Sequence, residues 1–413
     1  MTDVGARPAV HDPRPRVAAI VTAYYPRSHA DVIVSKLLAD YAHPAPRDRE
    51  GYDFPRAVRS MTEAPLPTDD QGRLKPIRVR VVSLFTDQVP GNDISREWSE
   101  RAGVPIFPTG RGALTVAGAR RGVDGVLIVG EHGDYPYNER GQHLYPRRRL
   151  FEEVVSVFRE SGRAVPVFVD KHLGYAWGDA KWMVDTAREM GFPLLAGSSV
   201  PTAPVSWRRP RLELPLGVRV HRALVAAHGP FEAYGFHALE GLQYMIEGRA
   251  GGESGVAAVQ VLSGEAMWQG AAAGQWDSDL LEAALAVSER RVPGDPRQLA
   301  RDPAVFLLQY RDGLRAAVCL LNGVTSQRAF AAEVTLPGES RSRVVAMRFG
   351  EQGQEPYAHF AWLCEKIQDL VCTNRAPQPV ERTLLTTGVL DRVMESRWRG
   401  GVLLETPELA IRY

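Results

Sequence analysis

Three ionisable residues in a row, Asp170-Lys171-His172, close the apolar run Val165-Pro166-Val167-Phe168-Val169. Such a run reads as a buried strand, and in open parallel sheets ligands bind at the carboxyl ends of strands. A lysine held there and partly withdrawn from water can give or take a proton near neutral pH. A lone lysine at a strand end is more often simply solvated. A carboxylate and an imidazole directly beside it shift the balance, so Lys171, Asp170 and His172 are the first catalytic candidates.

A second cluster, Glu131-His132-Gly133-Asp134-Tyr135, follows the apolar run Val123 to Val129, and His143 comes soon after. Carboxylates and imidazoles from strand-end loops commonly bind a divalent cation, which makes Glu131, His132, Asp134 and His143 candidate metal ligands. The plainer alternative is a hydrogen-bonded polar loop with Asp134 and Asn138 forming turns. Tyr145-Pro146-Arg147-Arg148-Arg149 opens a predicted helix. Helix N-termini favour anions and arginine grips carboxylate or phosphate with two donors, so Arg147 and Arg148 are candidates for a substrate anion. Against this stands a solvated basic turn paired to Glu152 or Glu153. Tyr135 and Trp177 are placed as aromatic walls of the same crevice, whereas Trp182 with Met183 reads as packing. Ser198 and Ser199 end another strand there, but no Gly-x-Ser-x-Gly elbow surrounds them, which argues against a serine hydrolase.

The elements that must position these groups alternate. Strands at Val17–Val21, Val79–Phe85, Val104–Phe107, Val123–Val129, Val165–Val169 and Pro193–Ser198 are separated by helices at about 28–41, 94–102, 146–161 and after His172. That pattern predicts an α/β chain with a Rossmann-like, doubly wound parallel sheet over residues 1–200, interrupted by a Pro-, Asp- and Arg-rich insertion at about 42–76. After Pro201 the runs at 212–214, 218–226, 257–262, 306–310, 315–321 and 331–336 read as strands, and several of them alternate apolar and polar residues. They predict an α+β domain over 201–413 with a mostly antiparallel, open sheet, helices at 236–247 and 276–289, and closing helices within 358–398. The 413 residues suit two domains. With 50 Lys and Arg against 49 Asp and Glu, no global field selects nucleic acid or an anionic membrane. No apolar run is long enough to cross a bilayer, and the first 16 residues have no apolar core of the signal-peptide kind. Three cysteines without metal-like spacing read as reduced packing residues in a cytoplasmic protein.

The order of these landmarks resembles the glucose-fructose oxidoreductase / myo-inositol dehydrogenase (Gfo/Idh/MocA) family over nearly the whole chain. Asp170-Lys171-His172 stands where that family has Glu-Lys-Pro. Gly191-Phe192-Pro193-Leu194-Leu195-Ala196-Gly197 is similar to its following strand, Gly235-Phe236-His237-Ala238-Leu239-Glu240 to its catalytic-histidine helix, and Phe360 to Arg399 to its closing helices. The resemblance implies an NAD(P) cofactor at Thr22, Ala23, Asp87 and Glu131, catalysis by Lys171 with His237, and oligomer contacts through the second sheet. The departures are equally specific. Val21, Ala23 and Pro26 occupy the glycine positions of the dinucleotide fingerprint, where side chains crowd a pyrophosphate and Pro26 lacks a donor. The acid expected four residues before His237 is absent: that position is Ala233, with Glu232 one place off.

Two enzyme classes therefore compete. One is an oxidoreductase-like enzyme acting on a small polyhydroxylated or carboxylated substrate, with Lys171 and His237 moving protons. The other is a hydrolase, lyase or isomerase on the same fold that has lost the dinucleotide and works by metal-assisted or acid/base chemistry. An inert binding scaffold is the third reading, disfavoured by the density of ionisable residues at adjacent strand ends.

Overall fold

The computed structural model describes residues 12–43, 66–116, 122–351 and 356–413. Strands β1 (Arg16–Val21), β2 (Arg80–Thr86), β3 (Gly125–Val129), β4 (Val167–Asp170) and β5 (Leu194–Gly197) form one parallel sheet in the order β2-β1-β3-β4-β5. Every residue of β3 is buried, as the unbroken apolar sequence requires of a strand covered on both faces. Helices α1 (His29–Leu38), α2 (Ser95–Ala102), α3 (Gly110–Thr115), α4 (Arg147–Ser161) and α5 (Trp177–Met190) are the connections. One face of the sheet packs on α4 and α5, the other on α1.

The second sheet has seven strands: β6 (Arg219–Ala227), β7 (Val256–Ser263), β8 (Arg301–Tyr310), β9 (Arg315–Asn322), β10 (Ala329–Thr335), β11 (Arg343–Arg348) and β12 (Leu404–Glu405). Their order is β11-β10-β6-β9-β8-β7-β12, antiparallel except for the β6–β9 pair. Helix α6 (Phe231–Ile246) covers one face. Two further helices, α7 (Glu265–Ala272) and α8 (Ser278–Ala286), lay Met267, Leu280, Leu281, Ala284 and Leu285 on the other face, over Leu224, Ala317 and Ala331. Helices thus pack on both faces of this sheet.

Helix α9 (Ala358–Thr373) returns to the first sheet and buries Ala361, Cys364, Ile367 and Leu370 against α1 and β1. Helix α10 (Val380–Trp398) packs on α6 and β7 and also on α5 and β5. Its Thr387 hydroxyl accepts from Leu173 N at 3.2 Å and its Thr383 hydroxyl donates to Ala196 O at 3.1 Å, so it fixes the second sheet against the carboxyl edge of the first.

Several expectations are corrected. Residues 212–214 form no strand, because Pro210 and Pro215 bracket them and cannot donate to a ladder. Val104–Phe107 contributes only a single bridge, Leu84 to Ile106. Strand β11 and helices α3 and α7 went unread: β11 is largely solvent-facing, and α3 and α7 are short and glycine-bearing. Cys319 and Cys364 are buried, but Cys372 is exposed. Most of the 42–76 insertion, residues 44–65, lies outside the described residues, as do residues 1–11.

Candidate active site

The carboxyl ends of β3 and β4 build the centre of the site. Glu131 follows β3 after Gly130, and Lys171 directly follows Asp170 at the end of β4. The Lys171 ammonium donates to Glu131 Oε1 at 2.8 Å, and Arg147 donates to Glu131 Oε2 at 2.5 Å. All three are almost fully buried. Burial alone would push the Glu131 carboxyl up, but Lys171 and Arg147 outweigh it and hold it well below the ordinary carboxylate range. Arg147 reaches the carboxylate by crossing over Gly130, where an added Cβ would lie 2.6 Å from its Cγ. Lys171 and His132 both sit at positive φ, 60° and 71°, a conformation that side chains adopt at a cost of order 1 kcal/mol or more. Gly197 N donates to Lys171 O at 3.1 Å and holds that strained backbone in place.

Imidazoles surround this pair. Arg147 Nη1 donates to His172 Nε2 at 3.2 Å, and burial, then the Arg147 charge, keeps His172 neutral, its value pushed well below the usual one. His29 Nδ1 lies 2.6 Å from Asp170 Oδ2, so Asp170 stands behind the site as the partner of His29. His132 packs edge-on against His29 and Tyr25, and burial together with His29 lowers it to about 4. Ser198 Oγ accepts from Val200 N at 3.0 Å, leaving its own proton for His237 Nδ1 at 2.6 Å. His237 is held well below its usual value by burial and by Lys171, so it is neutral with its proton on Nε2. It is therefore a hydrogen-bond donor at neutral pH and a weak base.

A cavity of about 700 Å³ opens over these groups, between the strand ends of the first sheet and the loops of the second. Seven of the ten histidines line it. Glu131, His132, His143, Lys171, His172 and His237 meet there, so chain segments far apart in sequence do converge. Sequence reasoning passed over Glu232, in the first turn of α6. Its Oε2 accepts from His143 N at 2.8 Å, while Oε1 is buried with no hydrogen-bond partner among the described residues. Burial raises its carboxyl to about 7, against the opposing pull of the His143 N–H and the Arg147 charge. The signal was present as an acid displaced by one position from the family pattern.

Other predicted residues are engaged elsewhere. Thr22 donates to Glu131 O at 2.8 Å and ties β1 to the β3 loop, with Ala23 fully buried beside it. Asp87 accepts from the Tyr135 hydroxyl at 2.6 Å and from Arg149 at 2.7 Å. Arg147 braces Glu131 and does not face the cavity. Arg148 lies over the Trp182 ring at 3.3 Å and pairs with Glu152 at 2.8 Å, and Trp177 is wedged against Gly388 between the two cores. None of Arg148, Trp177 or Tyr135 lines the cavity. The metal expectation is not supported: among the described residues no group of three or more His, Cys, Asp or Glu side chains could hold a metal ion. Both Glu131 oxygens are taken by cations, Asp134 is exposed, and His143 is stacked between Tyr137 and Tyr145 with Nε2 2.9 Å from Tyr135 O.

A dinucleotide at the β1–α1 turn would lay its pyrophosphate on the α1 N-terminus at the switch point between β1 and β3. Tyr24 is fully buried with its hydroxyl on Ser35, Ser28 caps the helix, and His29, His132, Tyr25 and Phe360 stack over its start. Burial pushes the first-turn Asp31 up, but His43 and the Arg27 N–H bring it below its ordinary value, so it is an anion where a phosphate would sit. The loop after β3 is also strapped to the end of β2: Gln88 Oε1 accepts from Asp134 N at 2.7 Å and Gln88 Nε2 donates to Asp134 O at 2.9 Å. The residues present do not fit a dinucleotide in this groove.

No family profile and no curated protein matches the chain. Solved structures do share its fold. GenD2 from gentamicin A biosynthesis, in complex with NAD, is 14% identical with a TM-score of 0.54, covering 97% of this chain and 99% of its own. A probable dehydrogenase from Thermotoga maritima is 11% identical with a TM-score of 0.53 over 95% and 99% of the two chains. An NAD binding oxidoreductase from Klebsiella pneumoniae is 11% identical with a TM-score of 0.51 over 95% and 98%. The chain thus has the two-sheet fold of these oxidoreductases, the fold that the resemblance to the Gfo/Idh/MocA family implies.

Proposed function

We propose that this protein is an acid–base enzyme on the oxidoreductase fold, acting without a change of redox state on a small polyhydroxylated or carboxylated molecule. The observation that carries this reading is the Lys171–Glu131 pair at 2.8 Å in a cavity also lined by Glu232, whose Oε1 has no hydrogen-bond partner among the described residues. In its ionised form Glu232 takes a proton from a carbon beside a substrate carbonyl. The electron pair moves to the carbonyl oxygen, where the Lys171 ammonium and the His237 Nε2–H stabilise it. Return of that proton to the former carbonyl carbon, with the proton of the hydroxyl on the deprotonated carbon passing to the former carbonyl oxygen, isomerises an α-hydroxy carbonyl substrate; departure of a hydroxyl from the carbon on the other side, taking the proton held by Glu232, eliminates water. Glu131, itself held by Arg147, fixes the Lys171 ammonium, and the neutral histidines add donors without adding charge.

The test is exchange of substrate C–H hydrogen with deuterated solvent, followed by NMR over a panel of keto sugars, sugar acids and cyclitol ketones. Wild type exchanges at least one member, and Lys171→Met and Glu232→Gln slow it by 10² or more, the usual scale of general acid–base catalysis. Full exchange in both variants overturns the reading. A second reading is an oxidoreductase proper, favoured by the fold shared with GenD2 bound to NAD. Titration with NADH and NADPH decides between the two: saturable, tight binding supports the second and removes the first.

A further inference from the structure

The cavity has two chemically different ends. At the Lys171 end the charges are answered: Glu131 balances one cation and shares the other, and Asp170 faces His29. The opposite end is built from loops of the second sheet and is richer in cations than in carboxylates. Arg328, immediately before β10, is buried with one amino group on Glu351, yet its Nε has no hydrogen-bond partner among the described residues. Its guanidinium lies 4.8 Å over the Tyr234 ring, which fixes its plane. Arg290, beyond the end of α8, is exposed at the cavity mouth and makes no ion pair among the described residues. The Tyr234 ring under Arg328 also meets the His228 ring edge-on at 5.5 Å, and Arg290 N donates to the side chain of Gln327, the neighbour of Arg328, so the three groups share one corner; both arginines reinforce burial in lowering the His228 imidazole to about 4. The Tyr234 ring also meets His237, with ring centroids 6.1 Å apart.

We propose that the corner formed by Arg290, Arg328 and His228 holds an oxyanion of the substrate, a phosphate or a carboxylate, while the reacting carbon lies at Lys171. A buried guanidinium N–H without an acceptor is costly, and an oxyanion supplies acceptors in the geometry arginine prefers. A cavity of about 700 Å³ leaves room for a chain of several carbons between the two ends. This inference rests on the reading of the cavity as the active site and narrows its substrate to an anion.

The experiment is calorimetric titration of the full chain with inorganic phosphate, glucose 6-phosphate, glucuronate and glucose. Wild type binds phosphate and at least one charged sugar, with glucose at least tenfold weaker. The phosphorylated and carboxylated sugars distinguish the two oxyanions. Arg290→Glu, on an exposed side chain that folding does not need, weakens the charged ligands at least tenfold and leaves glucose unchanged. Lys171→Met alters phosphate affinity less than threefold, because Lys171 sits at the other end. Equal binding of glucose and charged sugars, binding of none, indifference to Arg290→Glu, or loss of phosphate binding in Lys171→Met each overturns the anion corner. If anions bind as described but no ligand undergoes C–H exchange, the corner stands and the acid–base reading fails.

Discussion

Replacing Glu232 by glutamine should make the protein more stable relative to wild type as pH rises, and by an amount the structure sets. Burial lifts the Glu232 carboxyl from 4.5 to about 7. The folded value lies above the unfolded one, so between these limits the native state holds a proton that the unfolded chain has released. Stability from this group is fully present below about pH 4.5, falls as pH rises to about 7 and then levels off. A shift of about 2.5 units corresponds to about 3 kcal/mol at 1.36 kcal/mol per unit. Glutamine keeps the hydrogen-bonding shape and removes the titration. Urea denaturation of both proteins from pH 4.5 to 8 should show Glu232→Gln gaining up to about 3 kcal/mol on wild type across that window. Taking the difference cancels the other carboxylates. A flat difference curve would refute the argument, since it would mean that Glu232 ionises in the folded protein as readily as in water.

Other outcomes follow from the same packing. Glu131→Ala leaves Lys171 and Arg147 buried without their shared carboxylate, and should cost about 3–5 kcal/mol in chemical denaturation. Gly130→Ala places a methyl 2.6 Å from Arg147 Cγ, and should cost about 1–3 kcal/mol while displacing the arginine from Glu131. Because Glu131 is already saturated by cations, overnight dialysis against a chelator should leave C–H exchange unchanged, and a loss restored by one divalent metal would reinstate a metal site.

Much of the fold was legible because it depends on local pattern. The all-apolar β3 and the alternation of strands with amphipathic helices specified the parallel sheet, and the ionisable residues after β3 and β4 marked its functional edge. What sequence could not show was direction and distance. Arg147 reads as an anion binder at a helix start, yet it turns inward because Gly130 has no side chain to stop it. Thr22 and Asp87 sit at cofactor positions by spacing, but hydrogen bonds to Glu131 O and Tyr135 consume them. Arg290 and Arg328 lie more than a hundred residues from Lys171, and no periodicity links loops of different sheets. Helix α9 follows β11 of the second sheet in sequence but packs on the first, since its apolar stripe matches the face that α1 leaves open.

On the proposed function, the cavity moves protons using this chain's own residues, with the dinucleotide groove filled. The most direct measurement is the rate of C–H exchange in deuterated solvent on protein unfolded, freed of small molecules and refolded, with and without added NAD+ or NADP+. The same rate is expected in all three conditions, and exchange that appears only on adding a nicotinamide dinucleotide would contradict the acid–base reading.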